Sequence, residues 1–175
     1  VIVFEAEEGI RGARRSGGVG DVDKSQVHRL DSGGSGLLVV ARTQRAADFL
    51  IAQFADHSCT RRYEALVCGV PDAPHGIIDA PLGRNRSDPL KMAVVTNGKY
   101  ARTDYRVIGT YREPAVVSRV DCRLETGRTH QIRVHLSSIN HPLVGDPTYG
   151  QRRPNLGVQR PVPHAAAAAS YTHLP

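Results

Sequence analysis

Two polar clusters in this 175-residue chain carry side chains that packing alone does not require. The first is His28-Arg29-Leu30-Asp31-Ser32-Gly33-Gly34-Ser35-Gly36, which leads straight into the apolar run Leu37-Leu38-Val39-Val40-Ala41. An acid in a glycine-rich loop beside a buried strand stands on a movable backbone over a rigid support, a common setting for reactive groups. The alternative for Asp31 is an Asx turn onto Gly33, a frequent use of Asp before Gly. The second cluster is Thr126-Gly127-Arg128-Thr129-His130-Gln131-Ile132-Arg133-Val134-His135. A donor-rich helix start suits a phosphate or a carboxylate. The same residues also fit the solvated basic face of a helix.

Sharper motifs fail on spacing. Gly33-Gly34-Ser35-Gly36-Leu37 has Leu37 where a nucleophile elbow needs its last Gly. The loop also lacks the Gly-Lys-Ser/Thr ending of a phosphate-binding P-loop. His130 and His135 are five apart and so lie on different sides of a helix, unlike the zinc-binding i, i+4 pair. His57 and Cys59 have no second pair to complete a tetrahedral site, so no metal is expected.

The elements that must position these clusters follow from periodicity. Val1–Phe4 reads as a short strand and Gly9 to Gly20 as loop. Leu37–Ala41 reads as a buried strand. Thr43 can cap a helix carrying Ala46, Ala47, Leu50, Ile51 and Phe54 along one face. Tyr63–Cys68 is a further strand, ended by Gly69-Val70-Pro71. Asp72 to Leu90 reads as turns around a short extended piece, Gly76–Ala80. Asn97-Gly98 predicts a hairpin between Met92–Thr96 and Tyr100–Ile108. Val116–Leu124 alternates as a strand does. After it, Thr129 is the predicted cap of a helix with Ile132, Leu136 and Ile139 at i, i+4 and i+7, closed near Asn140 by Pro142. The tail from Gln151 is punctuated by Pro and holds the run Ala165–Ala169. Many strands, a hairpin and two helices predict an α+β domain on a largely antiparallel sheet.

Composition bounds the partners. The chain is 40% apolar and 23% charged, ordinary for one globular domain. No apolar stretch approaches the ~18–20 residues of a membrane span, and Glu5, Glu7 and Glu8 do not fit a secretory signal. Three widely spaced cysteines form no CxxC pair and read as reduced, buried thiols. The formal charge is +6, and 20 of the 23 cationic side chains are arginines. Arginine forks onto phosphate and stacks on bases, which suits a nucleic-acid partner; a GC-rich coding sequence would give the same bias.

At the two clusters the chain resembles the RluA-type (large-subunit) RNA pseudouridine synthase family. Val27-His28-Arg29-Leu30-Asp31, with Ser35-Gly36-Leu37-Leu38-Val39-Val40-Ala41, is similar to the family's catalytic-aspartate motif. Arg61-Arg62-Tyr63-Glu64-Ala65-Leu66-Val67-Cys68-Gly69 resembles its second motif, with Arg61 where Lys is usual. Thr126–His135 with His141-Pro142-Leu143-Val144-Gly145-Asp146-Pro147-Thr148-Tyr149-Gly150 resembles its third. Ala80-Pro81-Leu82-Gly83-Arg84, Met92-Ala93-Val94-Val95 and Ala101–Val107 extend the likeness. Residues 27–175 therefore read as a catalytic domain, and 1–26, without the family's Asn-Lys-Pro-x-Gly segment, as a divergent or truncated amino-terminal stretch.

The resemblance implies the pseudouridine synthase fold, a mainly antiparallel sheet with helices around a cleft, and isomerisation of specific uridines in ribosomal or transfer RNA. It makes Asp31, Tyr63 and Arg133 catalytic. Asp31 stabilises or traps the sugar cation as glycosidase carboxylates do. Arg133 pairs with it and aims it. Tyr63 stacks on the uracil near the C5 proton, as a poor base unless its site lowers its ordinary pKa of ~10. The target nucleotide is flipped into the pocket, with Arg29 filling the vacated space and Ile132 walling the base. Arg61, Arg62 and Arg128 contact RNA phosphates. No cofactor, no metal and no membrane are implied, and a cytoplasmic monomer is expected.

Overall fold

The computed structural model of the chain describes residues 2–6, 27, 30–31, 34–150, 156–157 and 163–170, with the backbone alone for 2–6 and 167–170. Its elements are β1 (Ile2–Ala6), β2 (Ser35–Val40), α1 (Gln44–Ala55), β3 (Cys59–Cys68), β4 (His75–Asp79), β5 (Leu82–Arg84), β6 (Met92–Val94), β7 (Arg102–Tyr111), β8 (Val117–Leu124), α2 (Gln131–Ser138) and β9 (Pro163–Ser170). Seven strands form one sheet in the order β1-β2-β9-β3-β8-β7-β4, and β5 pairs with β6 in a small second sheet. Among the described residues β2 and β9 run parallel and the other pairs antiparallel. This is the α+β architecture that the mixed periodicities predict.

Strand alternation divides β3 between two faces. Ala65 and Val67 point with Val120, Cys122, Tyr105 and Ile78 of the neighbouring strands into the main core, against Ile132, Leu136 and Leu143. Leu136 is fully buried there, and burying such a side chain contributes about 1.5–3 kcal/mol. Arg62 and Glu64, on the opposite face, form ion pairs with Asp121 and Arg119. A one-residue irregularity between Arg62 and Tyr63 in the β3–β9 pairing kinks the ladder beside Tyr63, as bulges near functional side chains do.

The local signals in α1 were legible, with one exception. Thr43 caps it, its hydroxyl accepting the Ala46 N–H at 3.2 Å. Ala47 and Leu50 are buried, but Ile51, expected on the same face, is 48% exposed, because the seam over Val39 and Ala41 is narrow. The cap of α2 differs from prediction. It is His130, in the left-handed region at φ 55°, not Thr129. No side chain caps the first helical amides; the Gln131 side chain instead braces the turn before the helix, its Oε1 taking the Arg128 N–H at 2.9 Å. At the other end Asn140 is left-handed at φ 68°. Its N–H reaches Ser137 O, and that of His141 reaches Leu136 O, a Schellman closure.

Two further expectations change. A turn forms one residue early, Val95 to Gly98 with Thr96-Asn97 at its centre, closed by Gly98 N–H on Val95 O at 2.9 Å. Yet Met92–Val94 pairs with Leu82–Arg84 and not with Tyr100–Ile108, because both edges of β7 are taken, by β4 and β8. The alanine-rich tail is β9, inserted between β2 and β3. There Gly36, at φ +113°, lies against the backbone of Ala165, and a side chain would collide with it.

Candidate active site

A cleft of about 250 Å³ opens where β2, β3, the Leu30–Gly34 region and the start of α2 meet. Asp31, Tyr63 and Arg133, which come from three distant segments, all line it, with Ile132, Arg61 and Arg128. Tertiary structure thus brings together six of the eight side chains singled out in the sequence. Arg62 lies elsewhere, since strand parity turns it to the opposite sheet face, where its Nε donates to Asp121 at 2.6 Å. Arg29 is outside the described residues.

Asp31 follows Leu30, which is buried against Leu38 and Ala165. Its carbonyl accepts the Gly34 N–H at 2.8 Å, just before β2 begins at Ser35. The Asx turn onto Gly33 falls outside the described residues. The Asp31 carboxylate makes itself felt as charge on Tyr63, Arg133 and Tyr149.

Burial pushes the Tyr63 phenol above its usual value; Arg61 opposes this, while Asp31 and Cys59 add to it. Tyr63 is therefore a neutral phenol at neutral pH, an aromatic wall and hydroxyl but not a phenolate base. The direct hydrogen-bond partner of Arg133 is Asp146, which the sequence reading did not single out. The guanidinium forks onto that carboxylate, Nε to Oδ2 and Nη2 to Oδ1, both at 2.8 Å. Burial works against its charge, but the Asp146 hydrogen bond and charge, with Asp31 and Tyr149, outweigh burial and raise its pKa. Asp31 acts on Arg133 through space, from the cleft side.

Arg61 sits over Phe54, 5.7 Å from the ring centroid, and its Nη2 donates to Glu125 O at 3.3 Å. Burial lowers its pKa, partly offset by Tyr63 and Cys59. Its Nε is buried with no hydrogen-bond partner among the described residues. A Cβ at Gly127 would meet Arg61 Nη1 and push the guanidinium aside. Arg128 is tethered by Nε to Tyr100 O at 2.8 Å.

The cleft wall at 126–131 is held by a buried polar chain that sequence reasoning did not single out. Gln131 Oε1 accepts from Thr126 Oγ1 and Arg128 N–H, and its Nε2 donates to Arg102 O and Thr103 Oγ1. His135 lies beyond, its Nε2 2.9 Å from Ala80 O and its Nδ1 2.8 Å from Thr103 Oγ1. A carbonyl can only accept, so His135 carries its proton on Nε2 and Nδ1 accepts from the Thr103 hydroxyl. Asp146 was equally missed, although Asp-Pro-Thr is a readable Asx-turn signal: Oδ1 accepts the Thr148 N–H at 2.9 Å. Among the described residues no three His, Cys, Asp or Glu side chains gather to hold a metal ion, and no helix is long and apolar enough to cross a membrane.

A family model described as RNA pseudouridylate synthase matches residues 20–138, from before Asp31 through Arg133 and the end of α2. The chain belongs to the RNA pseudouridylate synthase family. It is 48% identical over 164 residues to ribosomal large subunit pseudouridine synthase D of Zymomonas mobilis, covering 88% of this chain and 50% of that protein. With the protein of the same name from Pseudomonas aeruginosa, identity is 52% over 126 residues, 72% of this chain and 38% of that one. The chain thus spans half or less of the length of these relatives. In the solved structure of human RNA pseudouridylate synthase domain containing 1, the same fold recurs at a TM-score of 0.76 and 33% identity, over 84% of this chain and 64% of that one.

Proposed function

We propose that this chain isomerises uridine to pseudouridine in RNA, with Asp31 as the carboxylate that stabilises or traps C1′ of the flipped nucleotide. The C1′–N1 bond breaks, the base turns, C1′–C5 forms, and one proton leaves C5 while N1 gains one. Every atom is conserved and nothing is oxidised, so the chemistry requires no cofactor. Arg133 holds positive charge beside the acid, Tyr63 and Ile132 bracket the base, and Arg61 and Arg128 meet the RNA from the rim. The observation that carries this reading is that Asp31, Tyr63 and Arg133, from three distant segments, line one shared cleft of about 250 Å³. That size is near the lower end of small-molecule sites and suits a single extruded nucleotide.

The substrate is taken to be ribosomal RNA before transfer RNA, since the relatives are named for the ribosomal large subunit. The enzyme is assigned to the cytoplasm, as a monomer, with residues 27–175 as the catalytic domain and β1 as an added edge strand. The test uses ribosomal and transfer RNA transcribed with tritium at uridine C5. Tritium should pass to water while the base stays attached, and Asp31→Asn should abolish this while RNA still binds in a gel shift. Release of free tritiated uracil would make the protein a hydrolase, and no reaction on either RNA would overturn the assignment.

A further inference from the structure

Asp146 is a buried acid, 3% exposed, with four donors on its carboxylate. Besides the two Arg133 nitrogens, Oδ1 accepts the N–H groups of Thr148 at 2.9 Å and Tyr149 at 3.1 Å. The loop bearing it is anchored to β3. Val144 N–H bonds Leu66 O, Leu143 bridges Val67, and Gly150 N–H returns to Asp146 O. Tyr149 covers one face of the same guanidinium, 5.0 Å from ring centroid to Cζ. Its hydroxyl is itself pinned, accepting the Met92 N–H of β6 at 3.0 Å and meeting His130 Nδ1 at 3.0 Å.

A guanidinium gripped by a two-pronged carboxylate has its plane fixed, and a ring on one face fixes its tilt. Nε and Nη2 are taken by Asp146, which leaves Nη1 as the terminal nitrogen not engaged by it. The charge of Asp31 acts on this same guanidinium. We infer that Asp146 and Tyr149 are positioning residues for the isomerisation, holding Arg133 at one attitude so that its free edge serves the Asp31 carboxylate and the reacting sugar. Neither needs to touch the RNA. Asp146 supplies the fork, and Tyr149 ties the guanidinium to the β5–β6 hairpin.

This inference rests on the function proposed above, and the experiment separates the two. Wild type, Asp146→Asn, Tyr149→Leu and Tyr149→Phe are compared by tritium release and by the NMR signal of Arg133 Nε–H. Asn keeps one acceptor oxygen but turns an NH2 toward an arginine donor, so the fork opens. A displacement of about 1 Å at a catalytic group costs on the order of 100-fold in rate. Asp146→Asn should therefore lower kcat by about 100-fold with KM for RNA within about threefold, and its Arg133 Nε–H should exchange faster with water. Tyr149→Leu should lower kcat by about tenfold, the scale of a desolvated cation–π contact. Tyr149→Phe keeps the ring and should retain most of the rate. Should Asp146→Asn fail to fold, the two Tyr149 variants carry the test. An Asp146→Asn or Tyr149→Leu protein that keeps kcat within threefold, or loses KM in equal measure, would overturn the positioning role. A wild type that releases no tritium would instead overturn the proposed function.

Discussion

Gln131 offers the clearest physical test of how the cleft is held. Its amide is 2% exposed and makes four hydrogen bonds, the full capacity of the group, to Thr126, Arg128, Arg102 and Thr103. Gln131→Leu removes all four while roughly keeping the volume. Each buried bond contributes about 0.5–1.5 kcal/mol net, and groups left unpaired cost more than that mean; after some gain from the apolar side chain, the loss should be about 3–4 kcal/mol. For a domain of this size that corresponds to a melting temperature lower by about 10 °C. Gln131→Glu has the same shape but sets a carboxylate oxygen against the Arg102 carbonyl, which can only accept. The new acid must hold a proton to remain buried, so its pKa in the folded protein rises above the ~4.3 of the unfolded chain. A raised folded pKa means stability that is full below about pH 4.3 and lost as pH climbs through the folded value. The Glu variant should therefore close part of its deficit relative to wild type as pH drops from 7 toward 5. Urea unfolding followed by circular dichroism at a series of pH values measures both effects. A Gln131→Leu protein within about 1 kcal/mol of wild type, or a Glu variant whose deficit ignores pH, would refute the account of a fully satisfied buried amide.

Two other outcomes follow from buried titratable groups. Burial depresses the His135 pKa, more than the Ala80 carbonyl and Asp79 raise it. The unfolded chain thus takes up a proton first, and stability held above pH ~6.5 should fall as pH drops from there to the depressed folded value; His135→Gln should flatten that decline in urea titrations, and an unchanged slope would exclude His135 as its source. Cys122 is pushed up to about 12 by burial, with Asp121 and Asp104 adding. With a thiolate fraction of about one in 10,000 at pH 8, Cys122 should resist a disulfide reagent until urea unfolds the protein, and reaction of the native chain at this cysteine within minutes would contradict its burial.

Which features were readable depends on how local their causes are. Thr43 announces α1 because a cap acts within three residues, and Ile132 and Leu136 announce α2 because they lie on one helical face. Asn97-Gly98 signalled a turn here for the same reason, but the turn runs from Val95 to Gly98 with Thr96-Asn97 at its centre, and the strand before it went to a different partner. Pairing is a contest among segments far apart in sequence, and β4 and β8 hold both edges of β7. His130, not Thr129, stands at the cap, and the Gln131 side chain braces the turn before it through the Arg128 N–H, a bond visible only once Gln131 and Arg128 are placed together.

The candidate site divides along the same line. Motif likeness alone brought Asp31, Tyr63 and Arg133 into one hypothesis, and alternation along β3 was enough in principle to separate Arg62 from its neighbours. Which carboxylate holds Arg133 was not readable, because Asp31 and Asp146 both sit in turns and nothing in their spacing ranks them. That choice belongs to the folded molecule. The Asp146 loop is stapled to β3 directly beneath α2, and a fork needs two oxygens at bonding distance at once. Residue type and short-range period thus determined which groups take part, while long-range register and the closure of loops onto β3 determined which of them touch.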